Sequence, residues 1–211
     1  MKYPDIREFH EYKFLQQVEP TQLDLFYNVL ADIKNVISPV MMELGCGDAV
    51  YSRLFYDNFN GQCTNINVEQ RLEMVKIAKD VVPSATILHG VVGTELHIQE
   101  SWPTHEEDKN ARVIPITELF DIIDDKNVSI LHMDLQGSEV SVLEEMVKND
   151  LFKRVNYIFC SLHANHLACQ HILEKLSGHN IRYLFQHPTE GGYGDGLIVC
   201  QILEKTYNKY E

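Results

Sequence analysis

Two glycines and two carboxylates lie close together in the stretch MELGCGDAV, where Gly45 and Gly47 stand between Glu43 and Asp48. Glycine permits a tight turn and lets a ligand approach the backbone closely. The dinucleotide-binding fingerprint requires a third glycine where this chain has Val50. Because a diphosphate is also a poor neighbour for two carboxylates, the stretch favours a ligand with positive charge and no phosphate.

S-Adenosylmethionine is such a ligand, since it carries a sulfonium and an ammonium group. We expect Glu43 to complement this charge near the methionine end of the molecule, beside Asp48. Glu69 ends a second predicted strand roughly twenty residues after Gly47, where an acid can bind both ribose hydroxyls. It could instead cap the helix that follows. The adenine would lie near the end of the third strand, around His89 and Gly90.

A second turn, in the stretch LHMDLQGSEVSVLEEM, places Asp134 at the carboxyl end of a strand, facing the donor's sulfur or merely stabilising the turn. Gln136 and Glu139 follow in this turn as candidate substrate contacts, although Glu139 could instead favour the helix dipole. His163 follows the next strand and is, like Asp134, a candidate general base. Alternatively, Asp134 and His163 would ligate manganese or magnesium, which lowers the pKa of a bound hydroxyl.

The elements that must position these residues follow from alternating patterns along the chain. Short apolar runs alternate with amphipathic segments, which predicts an α/β fold with a mostly parallel seven-stranded sheet and helices on both faces. The last two runs, IRYLFQH and GLIVCQIL, have no helix between them and predict an antiparallel C-terminal hairpin. We expect a single domain over residues 1–211, with a Rossmann-like core in 39–211 and a helical lid or interface segment in 1–38.

The chain resembles the FkbM family of S-adenosylmethionine-dependent methyltransferases over roughly residues 40–165. The resemblance is carried by Met42–Asp48, Asn65–Glu69, PITELFD and HMDLQGSEVSVL. It implies a Rossmann-like class I methyltransferase fold and methylation of an oxygen, often a hydroxyl of a sugar, glycan or polyketide-type product. The chain departs from the family at His132, where a lysine is usual, and at Ser161 and His163, where the strand often ends in an acid.

A glycine-rich stretch, QHPTEGGYGDGL, separates the last two predicted strands and could lie over such an acceptor. Tyr193 could stack on a sugar ring and Asp195 could bind its hydroxyls. A merely flexible turn is the alternative.

The net charge, the apolar runs and the cysteine content of the chain limit the kinds of partner that we expect. The net charge of -13 offers no basic face for nucleic acid. No apolar run reaches membrane-spanning length, and an odd set of five cysteines without a CxxC pair suits the cytoplasm. We therefore expect a small-molecule or glycan acceptor, and a glycosyltransferase domain as a fused or associated partner. The competing interpretations are a metal-dependent methyltransferase of phenols or catechols, a NAD-binding oxidoreductase and a non-catalytic domain that has kept the fold.

Overall fold

The computed structural model describes residues 20–93, 111–163, 171, 180–187 and 196–203. Within these residues, one sheet of eight strands is flanked by five α-helices and a short 3₁₀ helix. The strands are β1 Val40–Leu44, β2 Thr64–Glu69, β3 Thr86–Val92, β4 Arg112–Ile114, β5 Val128–Met133, β6 Val155–Leu162, β7 Asn180–His187 and β8 Gly196–Leu203. The helices are α1 Pro20–Asp32, α2 Val50–Asn58, α3 Leu72–Val81, α4 Ile116–Ile122 and α5 Glu139–Lys148, with the 3₁₀ helix at Leu151–Arg154.

The strand order is β4-β3-β2-β1-β5-β6-β8-β7. Strands β1 to β6 pair in parallel, whereas β8 runs antiparallel to both β6 and β7. The order reverses between β1 and β5, so a crevice opens outside the carboxyl ends of these two strands. The predicted parallel sheet with an antiparallel C-terminal hairpin is confirmed, and the crevice is the expected place for a ligand.

The sequences of the central strands are mostly apolar because helices cover both faces of the sheet. Every residue of β1 and β5 is buried. One face packs on α4 and α5 and the other on α1 and α2, which gives the two larger of three hydrophobic clusters. The sheet is thereby held rigidly, and the residues that follow its strands are fixed relative to one another.

The sequence predicted seven strands, and the described residues contain an eighth. Strand β4 has only three residues, too few for a recognisable alternation, and it pairs with Gly90–Val92 of β3. A Cβ atom at Gly90 would lie 2.5 Å from Ile114 Cδ1 and 2.7 Å from the carbonyl oxygen of Arg112. The absence of a side chain at Gly90 therefore makes room for this additional edge strand.

Helix α1 is part of the core, although residues 1–38 were predicted to form a lid or an interface. Phe26 and Leu30 are fully buried, and the Phe26 ring lies 4.9 Å from that of Tyr51 and 5.6 Å from that of Phe159. Burying a side chain of this size stabilises the fold by about 1.5–3 kcal/mol. Residues 1–19 lie outside the described residues, and the lid or interface role of residues 1–38 stays a prediction. No helix in the described ranges is long and apolar enough to cross a bilayer.

Candidate active site

The turn between β1 and α2, residues 45–48, lies at the switch point of the sheet. The N–H groups of Gly45 and Cys46 both donate to the carbonyl oxygen of Val68, at 2.9 and 3.0 Å. Gly45 has φ +74°, and a Cβ atom there would lie 2.0 Å from the carbonyl oxygen of Asp134. Only glycine fits this position, because both the left-handed backbone and the contact with the end of β5 exclude a side chain.

Gly47 has a different environment. Its φ is +52°. A Cβ atom built on Gly47 would lie 3.9 Å from its nearest neighbour, the Nη2 atom of Arg71, so the space beside this residue is open. The Gly47 N–H donates to Oε2 of Glu69 at 2.8 Å. The other oxygen of Glu69 accepts from Arg71 N at 2.8 Å and from Arg71 Nε at 3.2 Å. Glu69 therefore ties the glycine turn to the residue before α3, while its predicted ribose contact stays a prediction.

Carboxylates crowd around this turn. Glu43 is buried and accepts a hydrogen bond from Ser52 N at 3.0 Å. Burial, opposed by the hydrogen bonds of Ser52 and assisted by the charges of Asp48 and Asp134, raises the pKa of Glu43 to about 8. Burial also raises the pKa of Asp48, against hydrogen bonds to its own backbone and that of Val50. The raised pKa values mean that the ionised forms of the two carboxyl groups are disfavoured at this site. A cation placed beside them would stabilise the ionised forms and would therefore be bound favourably.

Asp48 carries a buried oxygen atom that the described residues do not satisfy. Its Oδ2 atom is inaccessible to solvent and has no hydrogen-bond partner in the structure as described. A buried oxygen of this kind normally has a donor beside it.

The predicted adenine residues His89 and Gly90 lie side by side on β3. His89 pairs in register with Glu69, and its Nε2 is 2.8 Å from the carbonyl oxygen of Gln70. His89 is therefore held at the carboxyl end of the sheet, next to the predicted ribose residue. Gly90 is buried against β4 at Ile114, so packing alone accounts for the glycine at this position.

Asp134, Gln136 and His163 form a hydrogen-bonded group across the ends of β5 and β6. Gln136 Nε2 donates to Asp134 Oδ1 at 2.9 Å and lies 2.8 Å from His163 Nε2. The Asp134 and His163 atoms themselves are 3.3 Å apart. The Asp134 side chain is 42% exposed and that of His163 12% exposed, so solvent reaches the group. Gln136 also has a left-handed backbone, with φ +56°, an uncommon conformation that clusters at functional sites.

Glu139 lies behind this group, away from solvent. Its Oε1 accepts from Leu135 N at 3.0 Å and is 2.7 Å from His163 Nδ1, while its Oε2 accepts from Gly137 N at 2.9 Å. The side chain is only 2% exposed. The predicted direct contact of Glu139 with substrate does not fit this position, because its oxygens face the turn and the imidazole.

The sequence did not single out Tyr51, and it noted His132 only as a departure from the family. The two rings stack with centroids 4.4 Å apart, and His132 Nε2 lies 3.2 Å from Gln22 Nε2. Burial lowers the pKa of His132 to about 4, while burial and the charges of Glu43 and Asp134 raise that of Tyr51. In the sequence, Tyr51 follows the glycine turn and belongs to the apolar face of a helix. Its place at the site becomes apparent only from its contact with His132 in the structure.

Tyr193 and Asp195 lie outside the described residues, and their predicted contacts with an acceptor stay predictions. Within the described residues, no group of three or more histidine, cysteine, aspartate or glutamate side chains is arranged to hold a metal ion. Asp134 and His163 form a pair, and the nearby Glu139 is engaged by backbone donors.

The fold and the site together define a Rossmann-like methyltransferase, with an acid-lined glycine turn after β1 and a second acidic turn after β5. The family model of the methyltransferase FkbM domain matches residues 12–185. The chain therefore belongs to the FkbM methyltransferases, which use S-adenosylmethionine as methyl donor. No curated protein matches the sequence at a significant level.

Solved structures share the fold at low sequence identity. An O-methyltransferase from Bacillus cereus, in complex with S-adenosylhomocysteine, is 9% identical with a TM-score of 0.52, over 88% of this chain and 82% of that one. Precorrin-6y C5,15-methyltransferase from Geobacter metallireducens is 12% identical, with a TM-score of 0.51 over 87% and 89%. Human methyltransferase 10 domain containing protein is 14% identical, with a TM-score of 0.52 over 87% and 81%. At these identities the likeness concerns the fold alone.

Proposed function

We propose that this methyltransferase methylates a hydroxyl group of a sugar or glycan. The observation that carries the proposal is the pairing of His163 Nε2 with Asp134 Oδ1, which lie 3.3 Å apart at the ends of adjacent strands and are partly exposed to solvent. An aliphatic hydroxyl is a poor nucleophile until its proton is removed, and a neutral imidazole is a suitable base for that proton. The resemblance to the FkbM family supports a saccharide as the acceptor.

The residues around the glycine turn fit the methyl donor. Glu69 would hold the ribose, and His89, beside it on β3, would lie near the adenine. Glu43 and Asp48 would face the positively charged methionine end, which would offset the burial that raises their pKa values. When bound, S-adenosylmethionine supplies a methyl group made electrophilic by its attachment to a sulfonium. No phosphate has to be accommodated, in agreement with the acidic lining.

The protein's own task is to align the acceptor and to receive its proton. Gln136 now fills the position between Asp134 and His163, so an acceptor hydroxyl would take the place of its amide group. Asp134 would orient the hydroxyl while His163 Nε2 accepts the proton. The new C–O bond would form as the S–CH₃ bond breaks, and the electron pair of the broken bond would stay on sulfur. The proton ends on His163, from which it passes to water.

A metal-assisted reaction is the alternative mechanism, and the described donor set does not favour it. Asp134 and His163 supply two ligands that now contact each other and Gln136. Mg²⁺ prefers about six oxygen ligands, and a third protein ligand would have to come from outside the described residues. We therefore derive no step from a metal, and metal-dependent methylation of a catechol is kept as one arm of the test.

The expected cellular setting follows from the same features. The acidic chain suits a small-molecule or glycan acceptor and not a nucleic acid, since its net charge is -13. We propose a cytoplasmic protein that acts beside a glycosyltransferase, because glycans that carry methyl groups need both activities.

The test is an acceptor screen with donor labelled in its methyl group. Panels of methyl glycosides, oligosaccharides, catechols and simple phenols would each be incubated with the protein, with and without manganese. Label transfer to a saccharide hydroxyl in the absence of metal is the expected result. Transfer to catechols alone, dependent on manganese, would replace the proposal by its alternative.

A further inference from the structure

We propose that Glu139 is a positioning residue, which holds the proton of His163 on Nδ1 and so leaves Nε2 free to accept the acceptor's proton. The inference rests on the proposed function, because it assigns a role within the same reaction. It also replaces the direct substrate contact that the sequence predicted for Glu139.

Two backbone donors hold the Glu139 carboxyl group in one orientation. Two backbone N–H groups, of Leu135 and Gly137, donate to its two different oxygens at 3.0 and 2.9 Å. A backbone N–H can only donate, so both oxygens must act as acceptors. Glu139 is also the first residue of α5, where the helix dipole favours a negative charge. The side chain is 2% exposed, so solvent does not compete for these bonds.

The third contact of this carboxylate determines the imidazole tautomer. His163 Nδ1 is 2.7 Å from Oε1 of Glu139, and an acceptor at that distance requires a proton on Nδ1. A neutral imidazole with a proton on Nδ1 presents a lone pair at Nε2. That nitrogen is the one that faces Asp134, whose side chain is 42% exposed.

An independent contact leads to the same tautomer. Gln136 Nε2 donates to Asp134 Oδ1, so the nitrogen of this amide, and not its oxygen, faces the group. The same nitrogen lies 2.8 Å from His163 Nε2, and an amide nitrogen can only donate. In this arrangement Nε2 accepts from the amide, and Asp134 Oδ1 lies 3.3 Å from the same nitrogen. Both contacts thus place the proton of a neutral His163 on Nδ1 and leave Nε2 to accept the proton of the acceptor.

The pair of Glu139 and His163 performs what an orienting carboxylate does for histidine in other enzymes. The carboxylate selects the tautomer, holds the ring plane and stabilises the imidazolium that forms when the proton arrives. A purely structural Glu139, which only ties down the turn at Leu135 and Gly137, would need no contact with the imidazole.

The tautomer can be measured on the unaltered protein. Nitrogen NMR of protein labelled at histidine, with the His163 signals assigned by their loss in His163→Asn, distinguishes protonated from unprotonated ring nitrogens. We expect a protonated Nδ1 and an unprotonated Nε2 near neutral pH. A dominant tautomer with the proton on Nε2 would overturn the inference, and this result does not depend on turnover.

Kinetics of Glu139→Gln give the second test, with Glu144→Gln on the same helix as the matched control, since Glu144 is exposed. We expect kcat to fall about 100-fold in Glu139→Gln, since a positioned base contributes roughly 10²–10⁴. The KM for the donor should stay within about twofold, and Glu144→Gln should behave as the wild type. Equal kcat values for the two variants would refute the role of Glu139 while leaving the saccharide proposal intact. Absence of turnover by the wild type on every saccharide would instead refute the proposed function. If Glu139→Gln does not fold, the NMR measurement decides alone.

Discussion

A Cβ atom on Gly45 would lie 2.0 Å from the carbonyl oxygen of Asp134, so the turn after β1 and the turn after β5 touch through their backbones. The N–H of Asp134 donates to the carbonyl oxygen of Leu44 at 2.9 Å and continues the pairing of the two strands to this point. The predicted donor site and the predicted proton acceptor are thereby joined at the switch point of the sheet. A change in either turn is expected to affect both donor binding and catalysis.

Alanine at the two glycines of the turn should have unequal effects on stability. The added Cβ atom in Gly47→Ala would meet no atom closer than 3.9 Å. The variant should therefore lose only about 1–2 kcal/mol of stability, the cost of a left-handed backbone at a residue with a side chain. Gly45→Ala adds a clash with a backbone oxygen and should destabilise by about 2–5 kcal/mol in total. Denaturant unfolding of the two variants measures the difference. Equal losses would mean that the two turns are not packed as described.

Glu69→Gln should weaken donor binding. Loss of hydrogen bonds to a charged acceptor costs about 1.5–3 kcal/mol, which corresponds to roughly 10–100-fold in Kd. Calorimetry with S-adenosylhomocysteine is the measurement, and Glu73→Gln, exposed in the first turn of α3, is the control. Unchanged affinity in Glu69→Gln would show that this carboxylate only ties the glycine turn to Arg71.

Donor binding should release a proton from Glu43. Its pKa is raised to about 8, so the carboxyl group is mostly protonated near pH 7 in the free protein. A cation bound beside it favours the ionised form and lowers this pKa, so a proton leaves on binding. Affinity for S-adenosylmethionine should therefore increase as the pH rises towards 8 and then level off.

Proton release is measured by calorimetry near pH 7 in buffers of different ionisation enthalpy. The wild type should show a binding heat that depends on the buffer, and Glu43→Gln should lose most of this dependence. Any part that remains would come from Asp48, whose pKa burial also raises. If the heat is independent of buffer in the wild type, Glu43 does not face the bound cation.

Removal of divalent ions should leave the activity unchanged. Asp134 and His163 contact Gln136 and each other, and Glu139 is engaged by backbone N–H groups, so the described side chains lack a third free ligand. Rates with protein treated with EDTA, with and without added manganese, should agree within about twofold. A loss of activity that manganese restores would favour the metal-assisted alternative.

The sequence predicted well those features that depend on local periodicity and on residue type. Alternating apolar runs predicted the parallel sheet and its C-terminal hairpin, because the period of burial is a property of neighbouring residues. Gly45 and Gly47 were predicted to form a turn, and both adopt a positive φ. Glu69 and Asp134 were predicted at the carboxyl ends of strands, and parallel strands bring such residues to one edge of the sheet.

Features that depend on contacts between distant residues were decided only by the tertiary structure. The sequence assigned Glu139 to the substrate, whereas packing of α5 against β6 places it 2.7 Å from His163. The three residues of β4 show no periodicity, and their pairing depends on the space that Gly90 leaves. The pKa of Glu43 likewise follows from burial, which no local pattern specifies. Sequence alone determined which residues stand at the carboxyl edge of the sheet, since strand direction puts them there. Tertiary packing decided which of them face a ligand and which orient another side chain, because that depends on how helices cover the sheet.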